Sequence, residues 1–420
     1  MVKHFRLYIL AAFLLLVLCG VIIFNTIQFA NELEQEPVPG KEIEFMHWAY
    51  FPEEIFEAFH KEFPNITVNY HRYAKENYSE IIRLKMLSGE QTDVIGVLHE
   101  DYTQYADKGI LNDLTEKPFL NAYKPDVRNA VRELTADREY AVAYRSVVYG
   151  IWYNQILFSK LNLEVPLNFN QFLAVCNIFK IHDINPVVFG GRDDESASDV
   201  YLLRLIDLFD DGDWRYQYGT GIRSFLDEES QKRIGEMFYL TGNGYIAPES
   251  LNLTSQQAFE YFKQSRAAML IAPDYSINLA GEDMEKVVIP GVGFIPYADE
   301  ELKTKVPVRK ADNLIAVYSG TGNTDACMQF MEYLSRPETA LLYSQKTFSF
   351  PTVKGVSTDH LLYNSLWEPL RKMESVSMDF LYASDAVKNS LQKKARLILA
   401  KVTTPQETAE FFNNLYHRLQ

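Results

Sequence analysis

Cysteine is nearly absent from this 420-residue chain: there are three, at positions 19, 176 and 327. So few cannot make a disulfide scaffold, and the absence of any CxxC pair removes zinc ribbons and thioredoxin-type redox sites. Clustered positive charge is also missing. Lys and Arg total 41 against 56 for Asp and Glu, a formal net charge of −15 with no long basic run, so the chain lacks the Lys/Arg footprint that nucleic acid binding needs. HExxH and GxSxG do not occur, and SGTGNTDA at 319–326 lacks the lysine of a phosphate loop, which leaves it as a turn with an Asn or Thr cap before a helix. DDGD at 210–213 has neither the ligand spacing nor the closing Glu of a calcium loop. Carboxylates are plentiful, so their presence does not single out a glycosidase pair. The residues therefore point to no catalytic set, no metal and no cofactor.

What is present starts with one long apolar run. Lys3 and Arg6 precede residues 7–24, LYILAAFLLLVLCGVIIF, and no charge follows until Glu32. The run is just long enough to span a bilayer, and the flanking cations predict a cytoplasmic N-terminus with the remainder outside. The best cleavage site ends Gln28-Phe29-Ala30, with Gln where a small residue is wanted, so an uncleaved anchor is preferred to a cleaved signal peptide. Cys19 follows Leu18 rather than Gly, Ala or Ser, which makes it a membrane-helix residue before a lipid attachment site. Residues 31–41, NELEQEPVPGK, form an acidic, proline-broken spacer. Cys176 and Cys327 lie in apolar helical patterns and read as core.

From residue 42 the pattern alternates strand and helix: IEFMH, a helix over 52–62, ITVNY, a helix over 78–87 closed by Gly89, and DVIGVL. That order implies parallel pairing with right-handed crossovers, and ligands in such sheets bind beyond the carboxyl ends of the strands. Residues 155–285 are mostly of helical period. VVIPGVGFIPY and DNLIAVYS return as strands, a helix follows over 325–334, and the loop FSFPTVKGV leads to a helical tail.

Taken in order, IEFMHWAY, FHKEFPNITVNY, LSGEQTDVIGV, YADKGILNDLTE, YGIWYNQILFSKLNLEVPLNFNQFLAVCNIFK, YFKQSRAAMLIAPDY and DNLIAVYSGTGNTDACMQFMEYLSRPETALLY with FSFPTVKGV resemble the family 1 extracellular solute-binding proteins that feed ABC importers, mostly for sugars and oligosaccharides. The resemblance runs over about residues 42–356. It implies an α/β, two-lobed periplasmic-binding-protein-like fold with crossing hinge segments, preceded by the membrane or signal segment. The corresponding division is 1–30 anchor, 31–41 linker, 42–150 first lobe with 290–335 returning to it, and 151–289 second lobe completed by 336–420, with crossings near 149–154, 290–296 and 336–352. The implied function is capture of a sugar between closing lobes and delivery to ABC permease subunits, by a monomer that is not an enzyme. A membrane-anchored sensor or adaptor is the alternative, and a carbohydrate hydrolase a distant third.

Sugars present apolar CH faces edged by hydroxyls, so their sites pair flat aromatic rings with planar donors and acceptors. His47, Trp48 and Tyr50 lie at the carboxyl end of the first strand, with Trp48 and Tyr50 as a stacking platform; Glu100 and Asp101 follow the third strand. Tyr144 and Arg145 precede the crossing, while Tyr153 and Asn154 read as its packing. The resemblance carries the second lobe's contact to Tyr275, with Asp274 beside it. Trp214 either caps a longer saccharide or packs in a core, the more common fate of a lone Trp, and Arg309 either donates paired hydrogen bonds to ligand or closes a salt bridge near Asp312.

Overall fold

The computed structural model describes residues 40–132, 134–192, 217–218, 220–274, 291–295, 308–357, 376–377 and 385–417. The apolar run, the Cys19 position, the linker up to residue 39, Trp214 and Tyr275 lie outside them.

The first half builds as its periodicity dictates. Strand β1 (Lys41–His47) buries Ile43 and Phe45, and helix α1 (Glu53–Glu62) begins after Pro52 with Glu53 and Glu54 in its first turn, where carboxylates suit the helix dipole. Strand β2 (Ile66–Arg72) pairs in parallel with β1 from Lys41↔Ile66 to His47↔Arg72. Helix α2 (Lys75–Ser88) ends at Gly89, whose φ of 74° is the left-handed cap that glycine adopts without strain. The fully buried β3 (Val94–Val97) pairs in parallel with β1 and leads into α3 (His99–Asp107); α4 (Pro125–Arg132) follows.

Strand β4 (Ala141–Asn154) is 14 residues long, about 46 Å at ~3.3 Å per residue, too long for one lobe's core. Beyond it come α5 (Gln155–Lys160), α6 (Phe169–Ile181), β5 (Asn185–Val188), α7 (Glu228–Gly242), α8 (Ser255–Lys263), β6 (Ala267–Pro273) and β7 (Val292–Ile295). Strand β8 (Val308–Val317) returns, followed by α9 (Thr324–Leu334), α10 (Pro337–Thr347), β9 (Val376–Ser377), α11 (Asp385–Leu399) and α12 (Pro405–His417).

The strands form one mixed sheet in the order β2-β1-β3-β8-β4-β6-β5, with β7 on β4 and β9 on β8. Two sets of cores use different stretches of β4. Val142 and Tyr144 pack on one face of the first half and Ala141 and Ala143 on the other, whereas Val147, Tyr149 and Ile151 belong to the second half's main core. The change of core therefore falls at Arg145 and Ser146. On β8, next to the Asp312 that faces Arg145, Asn313 has a φ of 51°, a left-handed conformation that Asn tolerates better than most side chains, and its Nδ2 donates to the buried Tyr343 hydroxyl at 2.8 Å.

Packing departs from the expected division in two places. Residues 292–295 pair with Ile151–Asn154 in the second half, and α10, with Val353 and Val356, packs on the first core, whereas α9 packs there as the division has it. The crossing also precedes residues 149–154, which already pair with β6 and β7. The strand placements follow from register, which is set by partners far away in sequence and is not visible in a local pattern.

Candidate ligand site

The carboxyl end of β1 leads into a tightly held turn. His47 O accepts the Tyr73 N–H (3.0 Å), Trp48 O accepts Arg72 Nε (3.2 Å), and Ala49 O accepts the Tyr70 hydroxyl. Within the turn the Ala49 N–H donates to His47 Nδ1 at 2.8 Å. His47 is fully buried, so its place is under the surface rather than on it, a correction to its expected contact with ligand. Burial pushes its pKa down to about 3, against the pull of the Asp312 carboxylate and the Leu314 carbonyl. The ring is thus neutral, and because Nδ1 accepts, the proton sits on Nε2.

Trp48 lies half-buried on top of it, the two ring centroids 4.1 Å apart with planes inclined by 32°, and Tyr78 meets Trp48 edge-on at 4.9 Å. Tyr78 is itself pinned through its hydroxyl to Met46 O (2.7 Å) and Gly96 O (3.0 Å). Tyr50, 42% exposed, ends the turn. The arrangement is one partly open indole face on a rigid, uncharged base.

A few residues away the sheet carries charge. Arg145 on β4 stands directly across from Asp312 on β8, and its Nη2 donates to Asp274 Oδ2 at 3.3 Å. Asp274 follows β6 and is almost wholly buried; its Oδ1 also accepts the Val148 N–H at 3.3 Å. Burial alone raises the Asp312 pKa, but Lys310, Lys75, Arg145 and His99 outweigh it and hold the carboxyl below its usual value. Asp312 and Lys75 both act on His47, so the charged crossing and the aromatic turn lie within electrostatic reach of each other. Glu100 and Asp101 are half-buried in the first turn of α3, and Asp101 Oδ2 accepts the Ser79 hydroxyl at 2.5 Å. Helix α11, which packs in the second core, comes close to α3.

Tyr144 is a second correction. Side chains alternate along a strand, so Tyr144 and Arg145 cannot face the same side. Arg145 is the half-buried one, while Tyr144 is 2% exposed, lying parallel to Phe51 at 5.7 Å and against Tyr343 at 4.8 Å. Asp274, expected to touch ligand, is instead the enclosed partner of Arg145. Asn154 has the structural role expected of it, its side chain capping α5 by accepting the Ile156 and Leu157 N–H groups. Arg309 takes its place in β8 opposite Val148.

The residue reading missed Lys75, His99 and Lys310 around Asp312, and Gly96 beneath the aromatic pair. A Cβ on Gly96 would lie 2.5 Å from His47 Cδ2 and 2.8 Å from Trp48 Cζ3. The only signal for it was a glycine inside the short strand VIGV, the mark of a close approach. Among the described residues no group of His, Cys, Asp and Glu could hold a metal ion, and no helix is long and apolar enough to cross a membrane.

Residues 49–341 match the family model for bacterial extracellular solute-binding proteins. The "Multiple sugar-binding protein" of Streptococcus mutans is 21% identical over 334 residues, covering 78% of this chain and 77% of that one. The apo form of RafE from Streptococcus pneumoniae superposes with a TM-score of 0.75 at 20% identity, over 91% of this chain and 99% of that one. RafE in complex with raffinose gives 0.70 at 19% identity, over 90% and 99%. These structural likenesses establish a shared two-lobed fold.

Proposed function

Because this chain belongs to the bacterial extracellular solute-binding protein family, we propose that it captures a sugar or oligosaccharide between two lobes and hands it to the permease subunits of an ABC importer. The supporting observation is that the Trp48 indole rests on His47, on which Asp312 of the Arg145–Asp312 crossing acts electrostatically. The ring offers a flat apolar surface to the CH face of a sugar, and the charged groups offer acceptors and donors to its hydroxyls. Strand β4 passes from one set of cores to the other at this point, beside β8. A ligand touching both halves then has more contacts in the closed arrangement than in the open one, and that difference drives closure. The named relatives support a saccharide: one is called a multiple sugar-binding protein, another was solved with raffinose.

On this reading Trp48 and Tyr50 are the stacking surface and Arg145 and Asp312 the polar floor. Glu100 and Asp101 join them as the lobes meet, and Arg309, Tyr275 and Trp214 are kept as further ligand contacts. The protein works as a monomer outside the cytoplasmic membrane, held there by its uncleaved N-terminal run in preference to a lipid on Cys19.

The test is thermal unfolding of the purified full-length chain against a panel of mono- and oligosaccharides, raffinose among them, with analysis of the mixtures for cleavage. A saccharide at about a hundred times its Kd stabilises the folded state by roughly 2.7 kcal/mol and raises the midpoint by a few degrees. A shift with intact sugar supports the proposal. No shift across the panel shifts the assignment to another solute or to a sensor role, and cleavage products overturn it.

A further inference from the structure

We propose that His47 and Gly96 are positioning residues that hold the Trp48 ring in a single orientation, preset for the face of a saccharide. This rests on the reading of Trp48 as the stacking surface. It concerns how the site is built, which the family assignment does not address.

Three features carry it. His47 is placed by its neighbours on the sheet: it pairs with Arg72 of β2, its carbonyl is taken by the Tyr73 N–H, and its ring meets Phe51 edge-on at 5.4 Å. Its Nδ1 accepts the Ala49 N–H, which closes the backbone of the turn around Trp48 and sets the direction in which the indole leaves the chain. With the imidazole lying under one side of the indole and the Tyr78 ring at its edge, rotation of Trp48 would drive it into groups that are themselves fixed.

Gly96 completes the seat from below. Both rings lie where a side chain of β3 would otherwise stand, since even a methyl group there would come within 3 Å of each ring. Contacts that short force a displacement, and the imidazole has nowhere to go. The physical gain is preorganisation: a ring already in place loses little rotamer freedom when ligand arrives. The bond at His47 Nδ1 is the one that shapes the turn.

The experiment uses the full-length protein labelled with 5-fluorotryptophan. The chain has four tryptophans, so four fluorine resonances are expected, with that of Trp48 assigned by its loss in Trp48→Phe. Trp152, 2% exposed in the second half, is the internal control for an intact fold. Without ligand, the wild type should show one narrow Trp48 line. Gly96→Ala and His47→Ala should split or broaden it while leaving the Trp152 line in place. His47→Asn retains an acceptor for the Ala49 N–H and should restore a single narrow line.

Raffinose affinity, measured on the same samples, should fall at least tenfold in the first two variants and less than threefold in His47→Asn. A Trp48 line that stays single and unmoved in Gly96→Ala and His47→Ala overturns the positioning role. So does a disturbed line with unchanged raffinose affinity. A wild type that ignores raffinose counts against that saccharide as ligand, and the ligand-free lines still decide whether His47 and Gly96 hold the ring.

Discussion

The turn at residues 47–50 and the crossing at Arg145 are both half-buried parts of the same sheet edge, yet they are held by opposite means. The turn is neutral. Four hydrogen bonds from β2, the following residues and its own backbone close it, and aromatic rings fill it. The crossing is charged, with Arg145 between the carboxylates of Asp274 and Asp312 and with Lys75, Lys310 and His99 around them. Hydrogen bonds and ring packing are short-ranged and directional, so the turn has one geometry. Charge interactions fall off slowly with distance and tolerate displacement, which suits the place where β4 passes between two sets of cores. The comparison teaches that one region of a sheet can set a rigid, directional surface beside a compliant, charged one.

The comparison breaks most visibly at the crossing. Asp274→Ala removes a carboxylate that is 1% exposed and leaves Arg145 facing the interior without it; the loss in unfolding free energy should be about 3 kcal/mol by denaturant titration. Retention of wild-type stability would mean that the pair contributes nothing. At the turn, Trp48→Ala should cost about 2 kcal/mol of saccharide binding, roughly thirtyfold, in calorimetric titration while the unfolding midpoint hardly moves. Equal affinity would remove Trp48 from the site.

Acid sharpens the contrast, because His47 is neutral when folded. Its folded pKa of about 3 lies below the unfolded value near 6.5, so unfolded chains bind the proton first. Stability from this group is complete above pH 6.5 and declines as pH falls toward 3, by about 1.4 kcal/mol per unit. Unfolding curves at pH 7.5 and 5.0 should show a larger acid loss for wild type than for His47→Asn; identical losses would contradict the burial. The smallest effect belongs to the hinge backbone. Asn313→Ala puts into a left-handed conformation a residue that tolerates it less well than Asn and deletes the bond to Tyr343, for about 1 to 2 kcal/mol, and Asn313→Gly should recover the backbone part of it. Equal losses in both variants would locate the whole effect in the side chain.

The elements of the first half were legible because period-two and period-3.6 patterns, Pro52 before α1 and Gly89 after α2 are local signals. Trp48 and Tyr50 were legible for the same reason, as large rings just past the end of a strand. The burial of His47 was not, since it depends on a glycine in another strand leaving room for it. Tyr144 was misplaced although alternation was visible in the sequence: with Arg145 beside it, only one of the two could face the cleft, and which one depended on the cores above and below the sheet. Asp312 stood in the sequence as half of a salt bridge with Arg309, and its cross-strand neighbour proved to be Arg145.

By itself, then, the sequence determined the class of the protein: an acidic, cysteine-poor α/β chain with an apolar run near its start, aromatic strand ends and a series of segments ordered as in the solute-binding family. Each of these is a property of composition or of neighbours along the chain. Only the tertiary structure decided which strands carry the chain between its two sets of cores, where on them the change occurs, and which side chains line it. Those outcomes hang on register between β4 and β8 and on the packing of rings over Gly96, where residues far apart in sequence meet at distances of a few ångströms.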